Sequence, residues 1–334
     1  MTSARSDADT TVLLLNFGGP DTGEDVGPFL YRLFACPEVI PLPAPLRVPL
    51  AWALARARRR ESREMYEKIG GGSPLRKHTE QQARAIAAEL RRRGRGDVAV
   101  RIGMQCSEPS IAVAVGEVVR ESPRVVVVLP LFPQYSVTTT GACYRLFEKA
   151  WRQQRRGARP ALRRIREWPT APGYVATLVE LIRSTLAQVP APRRDAAHVL
   201  FSAHSVPKRI IDAGDPYLGQ IKQTVAAVYS ALGIPNRHSL SFQSKVGPVE
   251  WLAPSTDVAI ADLGRAGCRD LVVVPISFVS EHLETLYEID MLYRGQAVAA
   301  GIDGFYRAPA PNAHPVFISG ISDLIVAELD AGLD

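Results

Sequence analysis

The sequence predicts an α/β protein made of two similar halves, each a parallel β-sheet flanked by helices. Three observations carry this reading. Short β-branched and aliphatic runs, such as Val125–Leu129 and Leu271–Val274, have the length of buried strands and are too short for helices. They alternate with longer segments of helical periodicity, as βαβ units do. The run VVVVLPLF (125–132) in one half is answered by LVVVPISF (271–278) in the other, each broken by proline, which suggests an internal duplication.

The chain has 334 residues, 46% of them hydrophobic, enough for two cores. Residues 1–10 (MTSARSDADT) are polar and lack an apolar core, so they read as a frayed tail and not as a secretory signal. Apolar runs are interrupted by proline well short of the roughly 20 residues a membrane-spanning helix needs. Cys36, Cys106, Cys143 and Cys268 form no CxxC pair, which argues against a zinc site or a disulfide framework and for a reducing, cytoplasmic setting. The net charge of +6 suits an anionic partner. The arginine-rich stretches 91–95 and 151–166 lack the aromatic interleaving of nucleic-acid binders, so they read as solvated faces and no nucleic-acid partner is expected.

The elements follow in order. Thr11–Phe17 is a first strand, closed by Gly18, Gly19 and Pro20 before a helix ending near Phe34. From Val39 to Leu50 prolines alternate with aliphatics; helical periodicity resumes over Ala51–Lys68, with Trp52 and Leu54 beside Arg56, Arg58, Arg59 and Arg60. That mixture fits either an interfacial surface element or a helix packed on its own domain with an arginine back. Gly70–Gly72 precede Ser73 and Pro74, a cap and a first-turn proline, so a helix runs from there to about Arg93. No Gly-Lys-Ser/Thr follows, which excludes a phosphate loop, although free amides at this helix start suit a ligand carboxylate. Val98–Gly103 is a second strand, Glu108–Arg120 a helix and Val125–Leu129 a third strand. Arg155–Ala161 reads as the passage between halves. The pattern then restarts with a helix from Gly173, a strand into His204, a helix over Tyr217–Leu232, a strand at Ser239–Gln243, a helix from Ser255 and a strand at Leu271–Ile276. A last helix spans Pro315–Leu329 and is expected to pack back on the first half.

The chemistry gathers where two strands of the second half end. One runs into Ser202-Ala203-His204-Ser205, the other into Ser280-Glu281-His282, followed by Glu284, Glu288 and Asp290. Open α/β sheets bind ligands outside the carboxyl ends of their strands. On helical spacing Glu281, Glu284 and Glu288 stand at i, i+3 and i+7, three carboxylates on one face. With His204 on the neighbouring strand end, this is a candidate metal or proton site.

LNFGGP (15–20), FLYRLF (29–34), YEKIGGGSPL (66–75), FPQYS (132–136), FSAHSVP (201–207), FQSKVGPVEWL (242–252) and SEHLETLYEID (280–290) occur in order along nearly the whole chain. In these motifs the chain resembles ferrochelatase, which inserts ferrous iron into a porphyrin in haem biosynthesis. The resemblance implies two Rossmann-like, chelatase-like domains with a porphyrin cleft between them: an N-terminal domain over 11–160 with a lip at about 35–72, a C-terminal domain over 161–312, and a terminal helix over 313–334. It implies His204 and Glu284 as the catalytic pair and metal ligands, His204 taking a pyrrole proton. Glu281, His282 and Glu288 would form an acidic track for iron entry or proton exit. Phe17, Leu33, Phe132 and Trp251 would supply apolar walls to the porphyrin, and Tyr66, Ser136 and Arg58 contacts to its propionates or orientation.

Protoporphyrin IX and Fe²⁺ are the expected substrates, with coproporphyrin III as the rival porphyrin. Peripheral membrane contact through the lip and a monomer or homodimer are also expected. The chain departs from many members at Gln105 and Cys106, where an arginine and an aromatic are common, so a charged contact to the porphyrin edge is missing. It carries no cysteine-rich C-terminal tail, so no [2Fe–2S] cluster, and no other resident cofactor, is expected. A non-catalytic tetrapyrrole or metal carrier on the same scaffold is the second reading.

Overall fold

The computed structural model describes every residue except 1–9, 155–159, 246, 248 and 332–334. The tail expected at residues 1–10 therefore lies outside the described residues apart from Thr10, which begins the first strand. The passage expected at 155–161 lies outside them apart from Pro160 and Ala161. The chain divides into two compact units, one comprising residues up to Phe132, Ser136–Trp168 and the segment from Phe317, the other Pro133–Tyr135 and Pro169–Val316.

The first unit is built on β1 (Thr10–Asn16), β2 (Ala99–Met104), β3 (Val125–Pro130) and β4 (Ala161–Arg164), in the spatial order β2-β1-β3-β4. All pairings are parallel. β1 is buried along its whole length, which is why it reads as an unbroken apolar run. Helices α1 (Val26–Phe34), α2 (Ala44–Lys68), α3 (Leu75–Arg92), α4 (Ile111–Glu121) and α5 (Ala142–Gln154) complete the unit. Leu13, Leu15, Val126 and Val128 pack with Ile111, Val115, Val118, Phe147 and Trp151 in one apolar cluster.

Two expectations change here. Residues 161–164 pair with β3 and close the first sheet, so they do not open the second domain. α2 begins at Ala44, seven residues before the periodicity suggests, and carries Pro45 and Pro49. Pro45 lies in the first turn, where amide protons have no helical partner, and Pro49 forfeits only one further bond.

The second unit repeats the plan with β5 (His198–His204), β6 (His238–Gln243), β7 (Asp270–Pro275) and β8 (Gly304–Arg307), in the order β6-β5-β7-β8 and again parallel. The strand order thus matches that of the first sheet, with β3 and β7, the two runs that resemble each other in sequence, in equivalent places. Helices α6 (Pro172–Leu186), α7 (Lys208–Asp212), α8 (Tyr217–Leu232) and α9 (Thr256–Arg265) follow, then a π-helical segment, Glu284–Tyr293, that continues into α10 (Arg294–Ala299). The closing helix α11 (Pro315–Asp330) is tied to α3 and the turn after it: Arg93 donates to Asp323 at 2.6 Å and Arg95 to Asp330 at 2.6 Å.

Candidate active site at two strand ends

In each sheet the chain leaves the first strand toward one side and the third strand toward the other, so the carboxyl ends of β1 and β3, and of β5 and β7, are topological switch points. In the first unit this point is apolar, with Phe17 following β1 and Phe132 following β3. In the second it is polar. His204 ends β5, and the loop after β7 leads through Phe278 and His282 to Glu284.

His204 is fixed by its backbone. Its amide donates to Ser277 Oγ at 2.9 Å, and its carbonyl accepts from the Tyr217 hydroxyl at 2.8 Å. The ring stands edge-on to Phe278 with centroids 6.1 Å apart. Burial pulls its pKa below 6.5, only partly offset by the charges of Glu284 and Glu288, so the imidazole is held neutral.

Phe278 also lies 4.3 Å from the ring of His282, which makes it a spacer between the two imidazoles. His282 Nδ1 stands 3.0 Å from the Ser280 carbonyl and Nε2 stands 2.9 Å from Glu284 Oε2. A ring with an acceptor at each nitrogen satisfies both only as imidazolium. The electrostatics agree: burial pulls His282 down, but the charge and hydrogen bond of Glu284 outweigh it and the pKa is raised. Burial pushes Glu284 up, yet the His282 charge and hydrogen bond, followed by His204, bring it down to about 2. Glu284 is thus a carboxylate with a proton donor at its side.

The expected face of three aligned carboxylates does not form. Glu281 precedes the helix, and π-helical winding replaces the assumed α spacing from Glu284 onward. Glu281 is a fastener and not part of an open track: its carboxylate accepts from Arg307 Nη1 at 2.8 Å, from the Ala310 amide at 2.9 Å and from the Thr285 hydroxyl at 2.5 Å. Glu288 accepts from the Ser244 amide at 2.9 Å, Gln243 Nε2 at 3.1 Å, Tyr293 at 2.8 Å and the Ser244 hydroxyl. Gln243 in turn donates to the Glu284 carbonyl at 3.1 Å, so β6 braces the π-helical segment. Sequence reasoning missed Phe278, Ser277, Tyr217, Gln243 and Arg307. Only the polar FQSK stretch gave any signal, and it gave no partner.

Trp251 pairs with Pro207, three residues beyond His204, through an isolated antiparallel bridge; its indole N–H is buried and finds no hydrogen-bond partner among the described residues. In the first unit Phe17 is half-buried, edge-on to Phe29 at 6.4 Å, and Phe132 packs against the core cluster. Leu33 is half-buried on α1. Ser136 is fully buried, and its hydroxyl accepts from the Thr138 amide at 3.3 Å, so it caps the turn that follows. Tyr66 is also buried. Arg58, half-exposed and without an ion pair among the described residues, is the group of the three best able to meet a carboxylate.

The two glycine-rich loops of the first unit are held by backbone contacts. The Gly19 amide donates to Ser107 Oγ at 3.2 Å, and the Ser73 amide donates to the Pro20 carbonyl at 2.7 Å. A Cβ on Gly72 would stand 2.0 Å from the Asp21 carbonyl oxygen, so only glycine fits. The α3 amides expected to be free are partly used, Leu75 N donating to Ser73 Oγ at 3.3 Å. Gln105 is spent on neighbours: its side chain donates to the Thr138 carbonyl at 3.4 Å and accepts from the Cys143 thiol at 3.5 Å. All four cysteines are free, and burial holds Cys36, Cys106 and Cys143 above the ordinary thiol pKa.

Residues 9–329 match the family model described as Ferrochelatase. The chain belongs to the ferrochelatase family. A ferrochelatase of Nostoc punctiforme is 47% identical over 320 residues, covering 95% of this chain and 82% of the relative. One from Gloeobacter violaceus is 46% identical over 329 residues, covering 96% and 98%. The solved structure of the sirohydrochlorin chelatase SirB of Bacillus subtilis subspecies spizizenii, in complex with cobalt, superposes with a TM-score of 0.53 at 12% identity, covering 96% of this chain and 95% of that one, a likeness of fold. As a ferrochelatase the chain is a metal-inserting porphyrin chelatase, a lyase of haem biosynthesis. The match spans both units, so the neutral imidazole and the paired carboxylate of the second lie within the family's own region.

Proposed function

We propose that this ferrochelatase inserts Fe²⁺ into protoporphyrin IX to give protohaem, with His204 and the His282–Glu284 pair handling the two pyrrole protons. The observation that carries this is the opposed protonation of neighbouring groups, His204 neutral and Glu284 ionised against His282. Metallation releases two protons while a dication enters. A neutral imidazole accepts the first, since burial keeps its ring nitrogen free of a proton until one is delivered. Glu284, held anionic by the His282 imidazolium, attracts the ion or takes the second proton. A pair of groups suffices to guide an ion that must be given up, whereas a closed cage would retain it.

Phe17, Phe132 and Trp251 are suited to an apolar macrocycle, and the unpaired Trp251 N–H to an acceptor on its edge. Arg58 would hold a propionate. Fe²⁺ is a substrate in this reading, and the purified protein should show no iron–sulfur absorption. The preference for protoporphyrin is supported by α2 and the turn before it, where Leu42, Leu46, Val48, Leu50 and Trp52 are exposed, Leu46 and Trp52 by 62% each. Such a ridge suits peripheral contact with a membrane and an apolar substrate delivered from it. Among the described residues no helix is long and apolar enough to cross a membrane.

Anaerobic Fe²⁺ insertion measured side by side with the two porphyrins tests the assignment. A higher kcat/KM for protoporphyrin IX is expected; a clear preference for coproporphyrin III would replace it as the substrate. A protein that binds both and metallates neither would be a carrier.

A further inference from the structure

A groove of about 780 Å³ runs between α1 and α2 on the first unit. Arg56, Arg59, Arg60 and Arg63 line it together with Trp52 and Tyr31, and no acidic side chain does. Arg60 and Arg63 are each paired along α2, with Glu64 at 3.1 Å and Glu67 at 3.0 Å. Arg56 and Arg59 have no ion-pair partner among the described residues, and none of the four arginines has a part in the metallation proposed above. Arg59 lies along α1 at Gly27, where a Cβ would meet its Nε at 3.5 Å.

The groove's position matters as much as its charge. Its aromatic end, at Trp52, lies one turn from Val48, within a stretch of α2 where Leu46, Val48 and Leu50 are exposed around the helix. Its arginines follow one to three turns further along the same helix, roughly 6–16 Å away at the rise of an α-helix. Apolar residues at one level and cations about a headgroup's depth behind them match the layering of a bilayer surface.

We infer that this groove binds the phosphate headgroup of anionic phospholipids, giving the peripheral contact a preference for negatively charged membranes. The inference rests on the membrane contact proposed above. An acidic peptide would satisfy the arginines but would leave the apolar ridge unexplained, so the lipid is favoured.

Vesicle co-sedimentation decides it, using phosphatidylcholine alone or mixed with phosphatidylglycerol. Each arginine near an anionic surface is worth about fivefold in partitioning. The Arg56→Gln/Arg59→Gln protein should therefore lose about thirtyfold on anionic vesicles. It should be unchanged on neutral ones, and should insert metal into detergent-solubilised porphyrin at the wild-type rate with an unchanged melting curve. High salt should abolish the wild-type preference. Leu46→Gln/Leu50→Gln should weaken both vesicle types alike.

Equal wild-type binding to both vesicles would overturn the headgroup site while leaving membrane contact standing. Binding to neither would remove both. Retention of anionic-vesicle binding by the double arginine variant, or a wild-type preference for polyglutamate over anionic vesicles, would also overturn the inference.

Discussion

Replacing His282 with alanine should change the acid–base chemistry of a residue it does not replace. In the wild type, burial pushes Glu284 up and the charge and hydrogen bond of His282 more than reverse that, bringing the carboxyl from 4.5 to about 2. A fall of that size corresponds to about 3 kcal/mol of preference for the ionised form. What remains without His282 is an interaction with His204 that needs that ring charged and a hydrogen bond from the residue's own backbone, each of which ranks below either His282 contribution. The Glu284 pKa should therefore rise to about 4.5 or above, roughly two units or more. The sign follows: a depressed carboxyl favours the folded state above its unfolded pKa, and that stabilisation is lost as pH falls from 4.5 toward 2. In the variant it is absent throughout. Carbon-13 NMR of the glutamate carboxyl carbons, titrated in both proteins, reads the shift directly, and the insertion rate should drop about 100-fold as Glu284 loses the partner that holds it anionic. An unmoved Glu284 titration would refute the ion pair and the role it gives His282.

Arg307 donates to Glu281 at 2.8 Å and to Asp290 at 2.8 Å, so Arg307→Met should cost about 3–5 kcal/mol by leaving the buried Glu281 carboxylate without an ion pair and Asp290 with Arg294 alone, read as a lowered melting temperature. Because burial lowers the pKa of His204, its neutral form persists below pH 6.5; the acid limb of kcat/KM should lie below that value, and a limb above it would contradict the assignment. For the same group the unfolded chain takes up the proton first, so stability should decline as pH drops through 6.5. Gly72→Ala should lower the melting temperature and loosen the loop joining Pro20 to Ser73, since its Cβ would press on the Asp21 carbonyl.

The buried strands and long helices were legible because single-residue patterns determine them. The helix read over Tyr217–Leu232 has those bounds, and β1, β3, β5 and β7 were visible as aliphatic runs. β4 (ALRR) and β8 (GFYR) were not, because edge strands of four residues need no apolar run and theirs carry arginines. The positions of His204 at the end of β5 and of Glu284 after β7 were legible from the strand runs. The division of labour among the acids was not. Glu281 depends on Arg307, 26 residues away, and Glu288 on Ser244, 44 residues away, pairings that local helical spacing does not contain. His282 was grouped with the track, whereas its two acceptors make it the partner that sets the charge of Glu284.

The most direct test is His204→Ala, assayed for anaerobic Fe²⁺ insertion and, separately, for porphyrin affinity by fluorescence quenching. Loss of the neutral base should reduce turnover at least about 1,000-fold while porphyrin affinity stays within a factor of about two. Turnover near the wild-type rate would contradict the role given to this imidazole, and with it the account of how the second unit metallates its substrate.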